Sequence, residues 1–183
     1  MLVREKTYEQ RALEKDGQRL ELHDGVSWEK PPMSFGHNRS MLMLSREFMI
    51  QCDPAMHVVS INASRVHRPE RTYFIPDIAI IPVVMTEQYR DREVALEVYD
   101  QALPLVVEVW SPSTGGYDID AKLPVYQERG DVEIWRLHPF DRTLTVWRRR
   151  PDGSYEQSVH TAGLVTPVAL PGVTIDLDAL ITS

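Results

Sequence analysis

Leu105-Val106-Val107-Glu108-Val109-Trp110 is the stretch on which the reading of this chain turns. A nearly continuous apolar run of this kind is the pattern of a central strand buried on both faces. Ser111-Pro112-Ser113-Thr114-Gly115-Gly116 breaks the run. A helix is expected next, from about Asp118 to Glu128, stopping before Gly130. Pro124 is placed in its first turns, where a missing N–H does least harm. Val132–Leu137, Thr143–Arg148 and Tyr155–Val159 then read as consecutive strands, with Pro151-Asp152-Gly153 as a turn. The result is an α/β chain organised around the strand that carries Glu108.

Upstream, Thr7 opens a short amphipathic helix that ends near Asp16-Gly17. Arg19–His23 and Val26–Glu29 flank Asp24-Gly25 as the two arms of a hairpin, which Pro31-Pro32 stops. Ser34 is the expected N-cap of a long helix from about Phe35 to Gln51, where Met41, Leu44 and Phe48 recur at helical spacing. Strands follow at His57–Ile61 and Tyr73–Pro82, and the charged segment 87–101 reads as connecting structure. Gly172–Leu177 is expected to form a last strand that feeds a helical turn.

Within this frame Glu108 is the residue that needs explaining. A carboxylate inside an apolar strand is costly to bury unless something pairs with it. Asp77 follows Pro76 and opens the apolar run Ile78–Ile81, a second carboxylate set in an apolar strand. If the two strands are neighbours, both carboxylates can converge on a hard cation, because Mg²⁺ takes a few carboxylate oxygens plus waters. Lys122 lies fourteen residues beyond Glu108 on the following helix. Taken alone it reads as a solvated lysine, with Asp118 four residues earlier as an ordinary helix-surface partner. Packed back over the strand end, its ammonium would orient or help deprotonate a water. Glu21 alternates with Leu20 and Leu22 and by itself reads as solvent-facing, and His37 reads as a helix-surface histidine or a site residue.

Bulk properties bound the remaining choices. The chain has 183 residues, 43% of them hydrophobic and 26% charged, the profile of one folded domain over residues 1–183. Cys52 is the only cysteine, which excludes an intramolecular disulfide and a cysteine-rich zinc site. The histidines have no metal-ligand spacing. The longest apolar runs are far too short for a bilayer, and the charged start has no signal-peptide stretch, so a cytoplasmic location and no membrane partner are expected. The net charge is −7 and the pI about 5.4. That balance disfavours a protein that coats nucleic acid through bulk charge, but not an enzyme that meets a few phosphates around an acidic site. The basic stretches Arg148-Arg149-Arg150 and Arg65, His67, Arg68, Arg71 read first as solvated surface. Trp28, Trp135 and Trp147 suit either a core or a dimer contact.

The stretch from Leu105 to Pro139 resembles the signature region of the Uma-two family, within the PD-(D/E)XK nuclease superfamily. The matching residues are Val107-Glu108-Val109-Trp110-Ser111-Pro112-Ser113-Thr114, Asp118, Lys122-Leu123-Pro124, Tyr126, Gly130 and Val132-Glu133-Ile134-Trp135. Glu21-Leu22-His23-Asp24-Gly25, His37, Pro76-Asp77 and Leu170-Pro171-Gly172-Val173 match in the same order, so the likeness spans almost the whole chain.

The resemblance implies a restriction-endonuclease-like core, a mixed central β-sheet flanked by α-helices. It implies that Asp77, Glu108 and the backbone carbonyl of Val109 ligate Mg²⁺ or Mn²⁺, that Lys122 positions the attacking water, and that Glu21 assists. The reaction would be hydrolysis of nucleic-acid phosphodiester bonds, DNA being the expected partner, and a homodimer the expected assembly. One departure stands out: the superfamily spacing would put its lysine at position 110, where this chain has Trp110. The Uma-two pattern moves that lysine to the next helix, so the role passes to Lys122 only if that helix presents it to the site. A catalytically silent nuclease-fold module binding nucleic acid or a protein, and a metal-dependent hydrolase for another substrate, are the alternative readings.

Overall fold

The computed structural model describes residues 2–182. Helix α1 (Glu5–Ala12) precedes the hairpin of β1 (Leu20–His23) and β2 (Val26–Glu29). Asp24 and Gly25 both adopt positive φ, 48° and 80°, which lets a two-residue loop follow the twist of its strands. Helix α2 (Phe35–Gln51) is capped as expected, the Ser34 hydroxyl accepting from the His37 backbone N–H at 3.3 Å. Strands β3 (His57–Ile61), β4 (Arg65–Arg68), β5 (Thr72–Phe74) and β6 (Ile78–Pro82) follow. The single strand expected over Tyr73–Pro82 is therefore two. Pro76 has no N–H to give a ladder and separates them.

Segment 87–101 contributes one short strand. It follows the helical turn α3 (Val83–Thr86) and ends in β7 (Val98–Tyr99). Strand β8 (Leu105–Val109) has all five residues buried, as its apolar run predicted. Beyond it lie α4 (Gly115–Tyr117), a π-helical turn (Asp118–Lys122) and α5 (Leu123–Arg129). Pro124 sits in the first turn of α5, as expected, although helical structure begins earlier, at Gly115. Its ring would crowd the carbonyl of Asp120 in a regular α-helix. The wider π turn, in which Leu123 N–H bonds Asp118 O, lies directly before it. The chain closes with β9 (Glu133–His138), β10 (Thr143–Arg149), β11 (Tyr155–His160), β12 (Leu164–Val165), β13 (Ile175–Asp176) and α6 (Leu177–Thr182).

The strands form a six-stranded sheet, β11-β10-β9-β8-β6-β3, a five-stranded sheet, β2-β1-β5-β4-β7, and the ribbon β12-β13. In the large sheet only β8 and β9 run parallel. A parallel pair requires a crossover, and the helical segment 115–129 supplies it. Because side chains alternate across a strand, β8 serves two cores. Leu105, Val107 and Val109 pack with Leu44 and Phe48 of α2, while Val106 packs with Val125 and Tyr126 of α5. Glu108 shares the α5 face with Val106. Trp135 (0% exposed) and Trp147 (8%) belong to these cores, leaving Trp28 (44%) as the exposed one of the three tryptophans considered.

The basic stretches are mostly engaged in local pairs. Arg65 is buried and donates to Tyr8 Oη and Gln18 O, both at 3.0 Å. Arg68 pairs with Asp24 and Glu128, and Arg148 with Glu133 at 2.8 Å. These contacts engage Arg65, Arg68 and Arg148 within the fold. No helix among the described residues is long and apolar enough to cross a membrane.

Candidate active site

The antiparallel register Ile78↔Val107 lays the start of β6 beside the end of β8. Asp77 and Glu108 therefore approach one another at the edge of the α5 face. Asp77 is 1% exposed and its oxygens are taken by protein donors. Oδ1 accepts from Lys30 Nζ at 2.6 Å. Oδ2 accepts from the Val109 backbone N–H at 2.7 Å and faces His37 Nε2 at 2.9 Å. Burial opposes ionisation of Asp77, but Lys30 and His37 outweigh it and hold the carboxyl well below the usual range. An ionised carboxylate only accepts, so His37 Nε2 carries the proton in that contact.

Glu108 lies in a different field. It is 4% exposed, and its Oε1 accepts from the Tyr126 hydroxyl and from Lys122 Nζ, the latter at 3.2 Å. Burial pushes its carboxyl up to about 8, against the pull of Lys122. Asp118 is likewise raised by burial, to about 6. Two neighbouring carboxylates driven in opposite directions are the kind of arrangement found at working sites.

Lys122 ties the group together. Its ammonium is 2.9 Å from Glu21 Oε1, 3.2 Å from Glu108 Oε1 and 3.9 Å from Asp118 Oδ1. Asp118, Lys122 and Tyr126 recur every four residues, so the helical segment presents all three on one side. Glu21 arrives from the other sheet: it points away from Leu22, and its Oε1 also accepts from the Ile75 backbone N–H at 2.8 Å. Phe74 of β5 and Tyr117 of α4 roof the ammonium, with ring centroids 5.8 and 5.9 Å from Nζ. Burial alone would lower the Lys122 pKa; Glu108, Glu21 and Asp118 reverse that and raise it well above the ordinary value.

The structure thus brings Asp77, Glu108, Lys122 and Glu21 into one buried cluster, with Val109 contributing its N–H to Asp77. Glu21 is 1% exposed and His37 0%, so the solvent-facing reading of the first and the helix-surface reading of the second are both overturned. The Asp118–Lys122 pair is equally buried rather than a surface bridge. Lys30 and Tyr126 were not singled out as site residues. A lysine before Pro31-Pro32 carries no signal, whereas Tyr126, four residues beyond Lys122, was legible from helical spacing once Lys122 was placed inside. Trp110, at the position where the superfamily lysine would stand, stacks on His138 with ring centroids 4.1 Å apart. Gly115 allows this: a Cβ there would lie 2.0 Å from Trp110 Nε1.

The cluster holds four carboxylates (Glu21, Asp77, Glu108, Asp118) against two ammoniums (Lys30, Lys122), all buried. Such a surplus of buried negative charge is costly, and Asp118 and Asp77 add to the burial that raises the Glu108 carboxyl. The donors are hard oxygens, so their chemistry and charge fit a divalent ion such as Mg²⁺ or Mn²⁺. Among the described residues no three His, Cys, Asp or Glu side chains are grouped as a complete cation site. The cavity that touches Glu108 and Asp118 measures about 10 Å³, room for about one water and far too little for a phosphodiester.

A family model described as "Putative restriction endonuclease", that of Uma2, matches residues 6–178. The chain belongs to the Uma2 family. No curated protein matches it. Among solved structures it is similar to a putative nuclease of the DUF820 group from Anabaena variabilis, at 16% identity and a TM-score of 0.74, over 90% of this chain and 91% of that one. At that identity the likeness shows the fold, a mixed α/β nuclease fold as the resemblance implied. In this Uma2 chain the family's block from Val107 to Thr114 forms the end of β8 and the turn into α4, and the Lys122 that follows is turned inward.

Proposed function

We propose that this Uma2 protein is a metal-dependent endonuclease that hydrolyses phosphodiester bonds, DNA being its substrate. The observation that supports the reading best is the inward Lys122, held by Glu21 and Glu108 beside Asp77. Asp77 and Glu108 are the carboxylates that would hold Mg²⁺ or Mn²⁺, with the Val109 carbonyl as a third donor. When bound, the ion supplies Lewis acidity and positive charge that favour hydroxide over water at neutral pH.

The other roles belong to the chain. Lys122 is flanked by three carboxylates, which keep it protonated. It therefore acts as a hydrogen-bond donor that orients the attacking water or a phosphate oxygen, and not as the base. Glu21 fixes that ammonium from the opposite sheet, and Tyr126 fixes Glu108. Lys30 and His37 hold Asp77 in the ionised form that a hard cation requires, and the Val109 N–H fixes its orientation. Phe74 and Tyr117 exclude bulk water from the lysine, which strengthens each of these interactions.

The test is nicking of supercoiled plasmid and cleavage of single-stranded DNA with Mg²⁺ or Mn²⁺. Wild type is expected to cut, and Asp77→Ala and Lys122→Ala to lose at least two orders of magnitude. Undiminished cutting by Asp77→Ala would refute the assignment. One observation favours a second reading, a silent binding module: the cluster is sealed and its charges are paired within the protein. Tight metal binding without turnover on any nucleic acid would support that reading.

A further inference from the structure

The geometry around Lys30 goes beyond this reading while resting on its assignment of Asp77 to the cation. Lys30 ends the β1–β2 hairpin, its backbone N–H bonded to Arg19 O at 2.9 Å, and its side chain runs inward to 6% exposure. All three ammonium protons have acceptors: Asp77 Oδ1 at 2.6 Å, Asn62 Oδ1 at 2.6 Å and Ile75 O at 3.0 Å. Two of these acceptors are neutral, a side-chain amide oxygen of Asn62 and the backbone carbonyl of Ile75. Asn62 stands in the left-handed region, φ 49°, with its own N–H bonded to Asp77 O at 3.0 Å. Asparagine tolerates that conformation, and its amide oxygen meets Lys30 there.

Asp77 Oδ2 already takes two donors, from His37 and Val109. Oδ1 has fewer partners and is the better placed to take a cation, and the Lys30 ammonium is there. Two cations on that oxygen in a buried site repel one another, so each weakens the hold of the other. Asn62 Oδ1 and Ile75 O form a cradle in which the ammonium can stay when it gives up Asp77.

We infer that Lys30 is a tethered counter-ion of Asp77 that competes with the divalent cation for Oδ1, so that the affinity of the site is set by how readily Lys30 withdraws to Asn62 and Ile75. Lys30 then holds Asp77 ionised and in place before the metal arrives, and keeps affinity below what the carboxylates alone would give.

The experiment is calorimetric titration of Mn²⁺ into the full chain, comparing wild type, Lys30→Met, Lys30→Gln and the double variant Lys30→Met/Asp77→Asn, with melting temperature followed in parallel. Lys30→Met and Lys30→Gln are expected to bind Mn²⁺ at least ten-fold more tightly than wild type, and the double variant to lose that binding. The melting temperature of the single variants should rise with Mn²⁺ more steeply than that of wild type. Lys30→Gln retains a donor for the cradle and serves if Lys30→Met does not fold. Equal affinity in wild type and single variants, abolished in the double variant, would overturn the competition while leaving the metal site standing. Weaker binding in both single variants would overturn it in favour of a purely supporting lysine. No Mn²⁺ binding by any of the proteins would remove the metal reading, and this inference with it.

Discussion

Replacing Glu108 by glutamine keeps the shape and the acceptor oxygen of the side chain but removes the charge that this site holds at a cost. The Glu108 carboxyl titrates at about 8 in the folded protein, against an ordinary value of 4.5. Below pH 4.5 both folded and unfolded wild type carry the proton, and the variant should match wild type closely. Between about pH 4.5 and 8 the unfolded chain has released a proton that the folded chain retains. Wild-type stability then falls with rising pH, by about 1.4 kcal/mol per unit from this group alone. Above pH 8 both forms are ionised and the difference levels off at roughly 4–5 kcal/mol. A glutamine amide cannot titrate, so Glu108→Gln should be the more stable protein at pH 9 by up to that amount, or roughly 10 °C or more in melting temperature for a chain of this size. Urea unfolding in EDTA at pH 4.5, 7 and 9 measures it directly. Parallel pH profiles for the two proteins, or a variant less stable at pH 9, would refute the claim that burial raises this carboxyl. Under the proposed function the same substitution abolishes cleavage, the familiar exchange of stability for activity.

Lys122→Met leaves Glu21, Glu108 and Asp118 without their shared ammonium and should cost about 3–5 kcal/mol at pH 8. That cost should shrink toward pH 5 as Glu108 and Asp118 take up protons, and a pH-independent loss by urea unfolding would contradict the arrangement. Gly115→Ala should push Trp110 off His138, with a loss of about 1–3 kcal/mol from overpacking and a changed tryptophan emission; an unaltered spectrum would mean that the contact does not constrain the turn after β8. Arg129 donates to Tyr99 O at 2.8 Å and Gln101 O at 2.6 Å, and pairs with the buried Asp131 at 3.2 Å. Arg129→Met should therefore cost about 3–5 kcal/mol by stranding Asp131. The double variant Arg129→Met/Asp131→Asn should recover part of this, and additive losses in a double-mutant cycle would rule the coupling out.

Much of the architecture was legible in one dimension because the signals are local. The apolar run at 105–109 reads as a strand buried on both faces, Ser34 could cap α2, and Asp24-Gly25 could close a hairpin, each for reasons confined to a few residues. Glu108 and Asp77 were legible for the opposite reason: a carboxylate among valines and isoleucines violates its local pattern, and such violations concentrate where function or strain is held. The split between β5 and β6 and the π turn before Pro124 also follow from prolines, but their outcome depends on what packs alongside. His37, Glu21 and Lys30 were not legible as buried groups. Alternation shows that Glu21 faces away from Leu22, and helical periodicity says which residues lie beside His37, but neither says whether that side meets water or the second sheet. Only the tertiary structure decides this, because the partners are 32 to 101 positions apart: Lys30 with Asn62, His37 with Asp77, Glu21 with Lys122. A charged side chain has no intrinsic inside or outside. Its burial is settled when distant elements bring it a counter-charge, and here those elements are the hairpin, the start of α2, the break before β6 and the helical segment after β8.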